Sequence, residues 1–233
     1  MTTSTLARTP VLAALVERLD AAVHGARAGR DVPHAVGEAL HPLLGLPRLL
    51  TPQQEAGDPA RYRTHLLHVP DNGAYSLVAA VWRPGQRTAV HDHIAWCVVG
   101  VHRGEEHEIR YRLDDGRLVE DGHTVGPCGE VTVLTPPGDI HAVVNDGPEV
   151  AASLHVYGAD LRRRGTSVRR CYDLPVRGRA PRRANVFSSA PIIIWAMPRV
   201  DSVVGSHSPT TLPPRRIVAW WHRSLISWSL WLM

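Results

Sequence analysis

The sequence contains no lysine, so all 26 of its basic residues are arginine. It has only three cysteines, Cys97, Cys128 and Cys171, and they lie far apart. Three widely spaced cysteines exclude a disulfide framework and a cysteine-based zinc knuckle. We therefore expect a protein of the reducing cytoplasm.

Long apolar segments are also missing. Charged residues at Arg8, Glu17, Arg18 and Asp20 interrupt the N-terminal region, which excludes the apolar core of a signal peptide. No stretch of 18 uncharged apolar residues occurs anywhere in the sequence. We accordingly expect no stable membrane insertion.

Acidic residues are scarce at one end of the chain. Residues 179–233 hold seven arginines and one acid, Asp201, whereas residues 1–178 hold 19 arginines and 21 acids. The net charge of +4 therefore comes from the last quarter, and it predicts no nucleic-acid partner. This Arg-, Pro-, Ser- and Trp-rich tail is predicted to be disordered or foreign to the preceding domain. An interfacial amphipathic helix over 217–233 is the alternative interpretation.

The N-terminal region has helical periodicity. Apolar residues recur every three or four positions over residues 10–23, and a second short helix is predicted around Val36–Leu44. Residues 1–45 are therefore predicted to form a helical segment that packs on the following domain.

The pattern changes from residue 74 onward. Short apolar stretches are separated by turn-forming pairs, among them Asp121-Gly122, as expected for β-strands. The predicted strands are 74–82, 96–101, 107–113, 130–135 and 150–157. Many short strands without alternating helices predict an all-β barrel or double-sheet jelly roll over residues 46–178.

Three histidines form the most specific pattern. His91 and His93 are two residues apart, so on a strand their side chains face the same side. His141 follows a Pro-Gly turn on a separate predicted strand. Imidazoles that converge from two strands can bind one divalent metal ion. An isolated His-x-His is a weak signal, but the third histidine makes the combination much stronger.

The surrounding residues resemble the two motifs of the cupin superfamily. Gly85 precedes His91 by six positions, Gly104 ends the first motif, and the second motif runs from Pro136 to Asn145. Cys97 stands where the usual Glu ligand would be. The resemblance implies a cupin double-stranded β-helix, a jelly-roll barrel preceded by short N-terminal helices.

A further row of residues narrows the resemblance. Ser153, His155 and Tyr157 alternate along one predicted strand and so face the same side. Together with the three histidines, they make residues 46–173 similar to the cysteine dioxygenase family of thiol dioxygenases. The alternative is a chance alternation of polar residues on a half-solvated strand.

The resemblance implies an iron(II) enzyme. His91, His93 and His141 would bind Fe(II), and a small thiol carboxylate and O2 would be the substrates. Both oxygen atoms would be added to sulfur, as by a cysteine dioxygenase-like oxidoreductase. Tyr157 would form a hydrogen bond with the substrate carboxylate or with the bound oxygen. His155 and Ser153 would hold Tyr157 in place.

Substrate recognition departs from the family pattern. The family has Arg or Gln two residues after the Tyr that matches Tyr62, but this sequence has Thr64 there, with Arg63 beside it. Arg169 or Arg170 is another candidate for binding the substrate carboxylate. A solvated arginine-rich turn is the competing interpretation for one of these two, so cysteine and 3-mercaptopropionate both remain candidate substrates.

Cys97 is a further candidate site residue. Some family members carry a Cys–Tyr thioether beside the iron, and Cys97 and Tyr157 occupy positions where that link is chemically available. A small buried apolar residue is the alternative role for Cys97.

Other functions remain open at this stage. Three-histidine sites serve several metals, so a cupin enzyme with a different metal and reaction is one rival. The other is a cupin that binds a small molecule without catalysis. An inactive chain is also considered because of the unusual tail.

Overall fold

The computed structural model describes residues 9–25 and 31–177. The predicted tail, 179–233, lies outside the described residues, and so does residue 178. Among the helices described, α1 spans Pro10–Gly25, α2 Val32–Leu40, α3 Pro52–Glu55 and α4 Leu161–Arg164. A single turn of 3₁₀ helix, His41–Leu43, follows α2. The second predicted helix therefore starts earlier than expected and changes type before Leu44.

The strands form two sheets. The first has the order β1-β2-β9-β4-β7 and the second the order β10-β3-β8-β5-β6-β11. The strand bounds are β1 Arg63–His68, β2 Ser76–Trp82, β3 Val90–His93, β4 Cys97–Arg103, β5 Glu105–Asp114, β6 Arg117–Pro127, β7 Val131–Leu134, β8 His141–Val144, β9 Ala151–Tyr157, β10 Val168–Tyr172 and β11 Val176–Arg177. The two sheets confirm the predicted all-β fold, a double-sheet jelly-roll barrel.

The N-terminal helices cover the outer face of the first sheet. Leu15 and Leu19 of α1 pack in one buried cluster with alternate residues of β2 and β9, such as Ala79 and Leu154. Gly100 of β4 gives α2 space, because a Cβ there would lie 2.6 Å from Cδ2 of Leu40. Burial of this outer face leaves the opposite residues of β2, β4 and β9 to line the interior between the two sheets.

One predicted turn is wrong. Asp121 and Gly122 lie within β6, where Gly122 pairs with Arg110 of β5 next to a register shift. A Cβ on Gly122 would lie 3.1 Å from the Arg110 guanidinium. The glycine therefore makes space for a neighbouring side chain at a bulge in a continuous hairpin.

None of the helices within residues 9–25 and 31–177 has the length and apolar character needed to cross a bilayer.

Candidate metal centre

The three predicted ligand histidines meet inside the barrel. His91 and His93 lie on β3, and His141 begins β8 directly opposite His91. Their candidate ligand atoms all lie within 4.8 Å of one another, and the three side chains are buried. The register of β3 and β8 thus produces the convergence that the sequence predicts.

Each of the three rings is oriented through its Nδ1 atom. Nδ1 of His91 lies 3.0 Å from the carbonyl oxygen of Ala89. Nδ1 of His93 lies 2.9 Å from Oδ2 of Asp139, and Nδ1 of His141 lies 2.9 Å from Oε1 of Glu108. Acceptors at all three Nδ1 atoms favour the tautomer that offers Nε2 to a metal.

The site favours neutral imidazoles. Burial lowers the pKa of His91 well below its usual value, and the neighbouring rings of His141 and His93 lower it further. Burial also lowers the pKa of His93, although Asp139 opposes this shift. Neutral rings are the form that binds metal ions.

These residues fit a divalent metal ion. Nε2 of His141 is buried and has no hydrogen-bond partner within the described part of the chain. A buried, unpartnered nitrogen is costly unless something binds it. The three-histidine group could therefore hold a metal, with Asp139 and Glu108 supplying negative charge behind two of the ligands.

A hydrogen-bonded row leads away from these histidines along β9. Oγ of Ser153 lies 2.9 Å from Nε2 of His155, and Nδ1 of His155 lies 3.2 Å from the hydroxyl of Tyr157. The Tyr157 ring reaches the three-histidine group, with its centroid 5.8 Å from that of His93. Hence Ser153, His155 and Tyr157 face the barrel interior as one connected row.

Cys97 lies beside the end of this row. It is fully buried in a small interior cluster with Val99 and Leu134, against which Tyr157 packs. Burial raises the pKa of the Cys97 thiol well above its usual value. Cys97 is thus a neutral thiol next to the tyrosine.

The two candidate substrate residues on β1 face opposite sides of the sheet. Arg63 pairs with Val81, which belongs to the cluster under the helices, and its Nε donates to Oδ2 of Asp58 at 2.9 Å. Thr64 pairs with Ala80 on the interior face, and its buried hydroxyl has no hydrogen-bond partner in the described structure. Of the pair, Thr64 is the one available to an interior ligand.

The candidate arginines on β10 bind an aspartate between two ligand histidines. Nη2 of Arg169 lies 2.7 Å from Oδ2 of Asp92, and Nε of Arg170 lies 3.3 Å from the same atom. The Tyr172 hydroxyl also donates to this oxygen, at 2.9 Å. Asp92 alternates with His91 and His93 along β3, so these contacts lie on the outer face of the strand.

Sequence reasoning missed four residues of the site. Asp139 and Glu108 orient ligand rings, Trp82 donates from Nε1 to Oγ of Ser153 at 3.3 Å, and Glu106 lies beside Ser153. The signal for the two glutamates was their alternation on β5, which puts both on one face. The residues that these glutamates contact lie on β8 and β9, far away in the sequence. Alternation on β5 alone therefore does not show that the glutamates face the interior of the barrel.

A cavity of about 500 Å³ reaches the three-histidine group at His141. Glu106, Glu108, Val99 and Leu134 are among the other residues that line it. The space is large enough for a small organic substrate.

Comparisons with known proteins give distant likenesses. No protein-family model matches the chain. A Klebsiella pneumoniae protein with a double-stranded β-helix domain is 19% identical, with a TM-score of 0.37, over 49% of this chain and 92% of its own. An RmlC-like cupin from Desulfovibrio desulfuricans is 21% identical, with a TM-score of 0.36, over 46% and 92%. A cupin barrel protein from Salinispora arenicola is 21% identical, with a TM-score of 0.36, over 46% and 83%.

Proposed function

We propose that this protein is a non-haem iron(II) thiol dioxygenase that oxidises a small thiol carboxylate, of the cysteine or 3-mercaptopropionate type, to its sulfinate. The observation that carries the proposal is the Ser153–His155–Tyr157 row, which ends beside the three-histidine group. A metal site alone fits many cupin reactions. The row adds a buried phenol that can bond a substrate next to the metal.

The residues of the chain have separate tasks in this reaction. His91, His93 and His141 would hold Fe(II), which when bound supplies the redox chemistry that joins dioxygen to sulfur. The Tyr157 hydroxyl would bond the substrate carboxylate or an oxygen atom. His155 and Ser153 fix the direction in which that hydroxyl points.

The reaction balances without a further reductant. Sulfur in a thiol loses four electrons when it becomes a sulfinate, and one dioxygen molecule accepts four. The protein therefore has to position two substrates and exclude water rather than bind an electron donor. The buried, largely apolar wall that Val99 and Leu134 form suits that task.

Thr64 is the proposed contact for a polar group of the substrate on the first sheet. Its hydroxyl is buried and unpartnered within the described residues, and it faces the interior. The guanidinium of Arg63 is engaged by Asp58, and those of Arg169 and Arg170 are engaged by Asp92. Substrate binding by any of these three arginines stays a prediction.

Oxygen consumption tests the proposal. Metal-free protein is loaded with Fe(II) without air and then mixed with cysteine, 3-mercaptopropionate or cysteamine. We expect oxygen uptake with at least one thiol carboxylate and formation of an equal amount of its sulfinate. A fully iron-loaded protein that consumes no oxygen with any of the three would overturn the proposal, and the same concentration of Fe(II) without protein is the control for oxidation by free iron.

A further inference from the structure

The cavity that reaches His141 has a predominantly acidic wall. Among the described residues that line it are three carboxylates and one guanidinium, those of Glu106, Glu108, Glu130 and Arg110. A cleft in which one sign of charge prevails attracts ligands of the opposite sign. The wall of this cavity therefore suits a ligand that carries a positive charge.

Glu106 is the carboxylate of this wall whose hydrogen bonding is incomplete. It is only 8% exposed, and its Oε2 atom is buried without a hydrogen-bond partner in the part of the chain that the structure describes. Glu108 differs, because its Oε1 lies 2.9 Å from Nδ1 of His141 and its Oε2 accepts from the Thr124 hydroxyl at 3.5 Å. A buried carboxylate is costly unless a donor or a positive charge is brought to it. Glu106 is therefore the point of the wall at which a ligand's cationic group is most needed.

An organic cation fits Glu106 better than a second metal ion does. Within residues 9–25 and 31–177, the three ligand histidines are the one group of such side chains placed closely enough to hold a metal ion. The carboxylates of the cavity form no second group of this kind. A primary ammonium group requires less, because one carboxylate can accept a charge-assisted hydrogen bond from it.

The position of the cavity connects this cation to the metal centre. His141 and Glu106 line the same space of about 500 Å³, so a small molecule that binds at His141 can extend toward Glu106. The two candidate substrates, cysteine and 3-mercaptopropionate, have the same carbon skeleton, thiol and carboxylate. They differ only in the ammonium group that cysteine carries. A carboxylate that binds ammonium would therefore distinguish between them.

We propose that Glu106 is a specificity-determining residue that binds the ammonium group of the substrate, so that the cavity selects an amino thiol of the cysteine type over 3-mercaptopropionate. The identity of the ligand as a substrate rests on the proposed function. The ammonium site itself depends only on the cavity and on the unpartnered carboxyl oxygen of Glu106.

A binding titration followed by NMR tests this site. Metal-free, full-length protein is titrated without air at pH 8 with L-cysteine and, separately, with 3-mercaptopropionate. Burial raises the pKa of Glu106 to about 7, so its side chain is mostly a carboxylate at this pH, while cysteine keeps its ammonium group. Methyl signals of Val99 and Leu134, which line the cavity, report the dissociation constants. We expect cysteine to bind about tenfold more tightly, as is typical of a hydrogen bond to a charged group.

Variants of Glu106 separate its charge from its size. Glu106→Gln keeps the shape but removes the negative charge, so the dissociation constant of cysteine should rise about tenfold. That of 3-mercaptopropionate should stay constant or fall. Glu106→Asp keeps the charge and should retain part of the preference for cysteine. Glu105→Gln is the matched control and should bind as the wild type does, because Glu105 is the neighbouring acid and contacts His107 instead.

Two results would overturn the proposal without requiring any variant to fold. They are equal dissociation constants for the two thiols in the wild-type protein, and no binding of cysteine. An unchanged preference for cysteine in Glu106→Gln would overturn it as well. Because metal and dioxygen are both absent, the outcome does not depend on the reaction assigned to the protein. Iron-loaded protein that binds cysteine through Glu106 but consumes no oxygen would contradict the proposed function and leave the ammonium site intact.

Discussion

Cys97 of β4 lies directly opposite Tyr157 of β9. The two side chains face the interior together, and Tyr157 packs against the small buried cluster that contains Cys97. The register of β4 and β9 therefore places the thiol and the phenol ring side by side, as a thioether between the two residues requires.

We therefore predict that the link forms during turnover. Joining the thiol sulfur to the ring removes two hydrogen atoms, with dioxygen as the oxidant. After incubation with Fe(II), thiol and air, intact-protein mass spectrometry should show a population lighter by two hydrogen atoms. Cys97→Ala and Tyr157→Phe should each lack it. An unchanged mass in wild-type protein that has turned over would leave Cys97 with a packing role only.

Loss of one ligand should abolish metal binding. His141→Ala removes an imidazole whose Nε2 is otherwise buried and unpartnered, and two histidines on one strand form an incomplete site. Metal content after loading and dialysis should fall from one ion per chain to a background value. His123→Ala, on β6, is the control. Stoichiometric iron in the His141 variant would refute the assignment of that ligand.

The carboxylates that contact the ligand histidines should raise the affinity for the metal ion without being required for its binding. Glu108→Gln weakens the contact with Nδ1 of His141, and such changes typically cost about 10–100-fold in metal affinity. Competition with a chelator of known affinity measures this effect. Glu120→Gln, on β6, is a suitable comparison. Equal affinities in the two variants would contradict the orienting role of Glu108.

Thr64 and Arg169 should have different roles in the reaction. Thr64→Val removes an interior hydroxyl, so we expect KM for the thiol carboxylate to rise by about tenfold with a small change in kcat. Arg169→Ala removes one of three donors to Asp92, and the half-exposed pair should cost about 1 kcal/mol of folding free energy while KM stays constant. A raised KM in the Arg169 variant would instead assign that arginine to the substrate.

Burial of Glu106 should reduce stability at neutral pH. Its pKa rises from 4.5 to about 7 on folding, so the unfolded chain loses this proton first. The free energy of unfolding then falls as the pH rises from 4.5 to about 7. Denaturant titration should show Glu106→Gln more stable than wild type above pH 7, by about 3 kcal/mol at most, and the gain should vanish below pH 4. A constant difference across the pH range would contradict a buried, titrating acid.

Much of the barrel could be predicted because its signals are local. Alternation along β9 shows that Ser153 and His155 share a face, and His91 and His93 do so on β3. The strand β6 was missed because Gly122 looks like a turn residue, although it makes space for Arg110 across a bulge. Local sequence could not distinguish these two uses of glycine.

The contacts behind the site could not be predicted, since they join residues that are distant in sequence. Glu108 and His141, or Trp82 and Ser153, meet only after the sheets close. The contact between Arg169 and Asp92 likewise forms only when β10 pairs with β3. Register between strands decides such pairs, and a single sequence does not determine it.

Isotope labelling tests the central claim most directly. Iron-loaded protein is supplied with its thiol and with dioxygen enriched in the heavy isotope ¹⁸O, and the product is analysed by mass spectrometry. The account predicts a sulfinate that carries two heavy oxygen atoms from one dioxygen molecule. A product with oxygen from water, or a disulfide as the sole product, would contradict the assignment as a thiol dioxygenase.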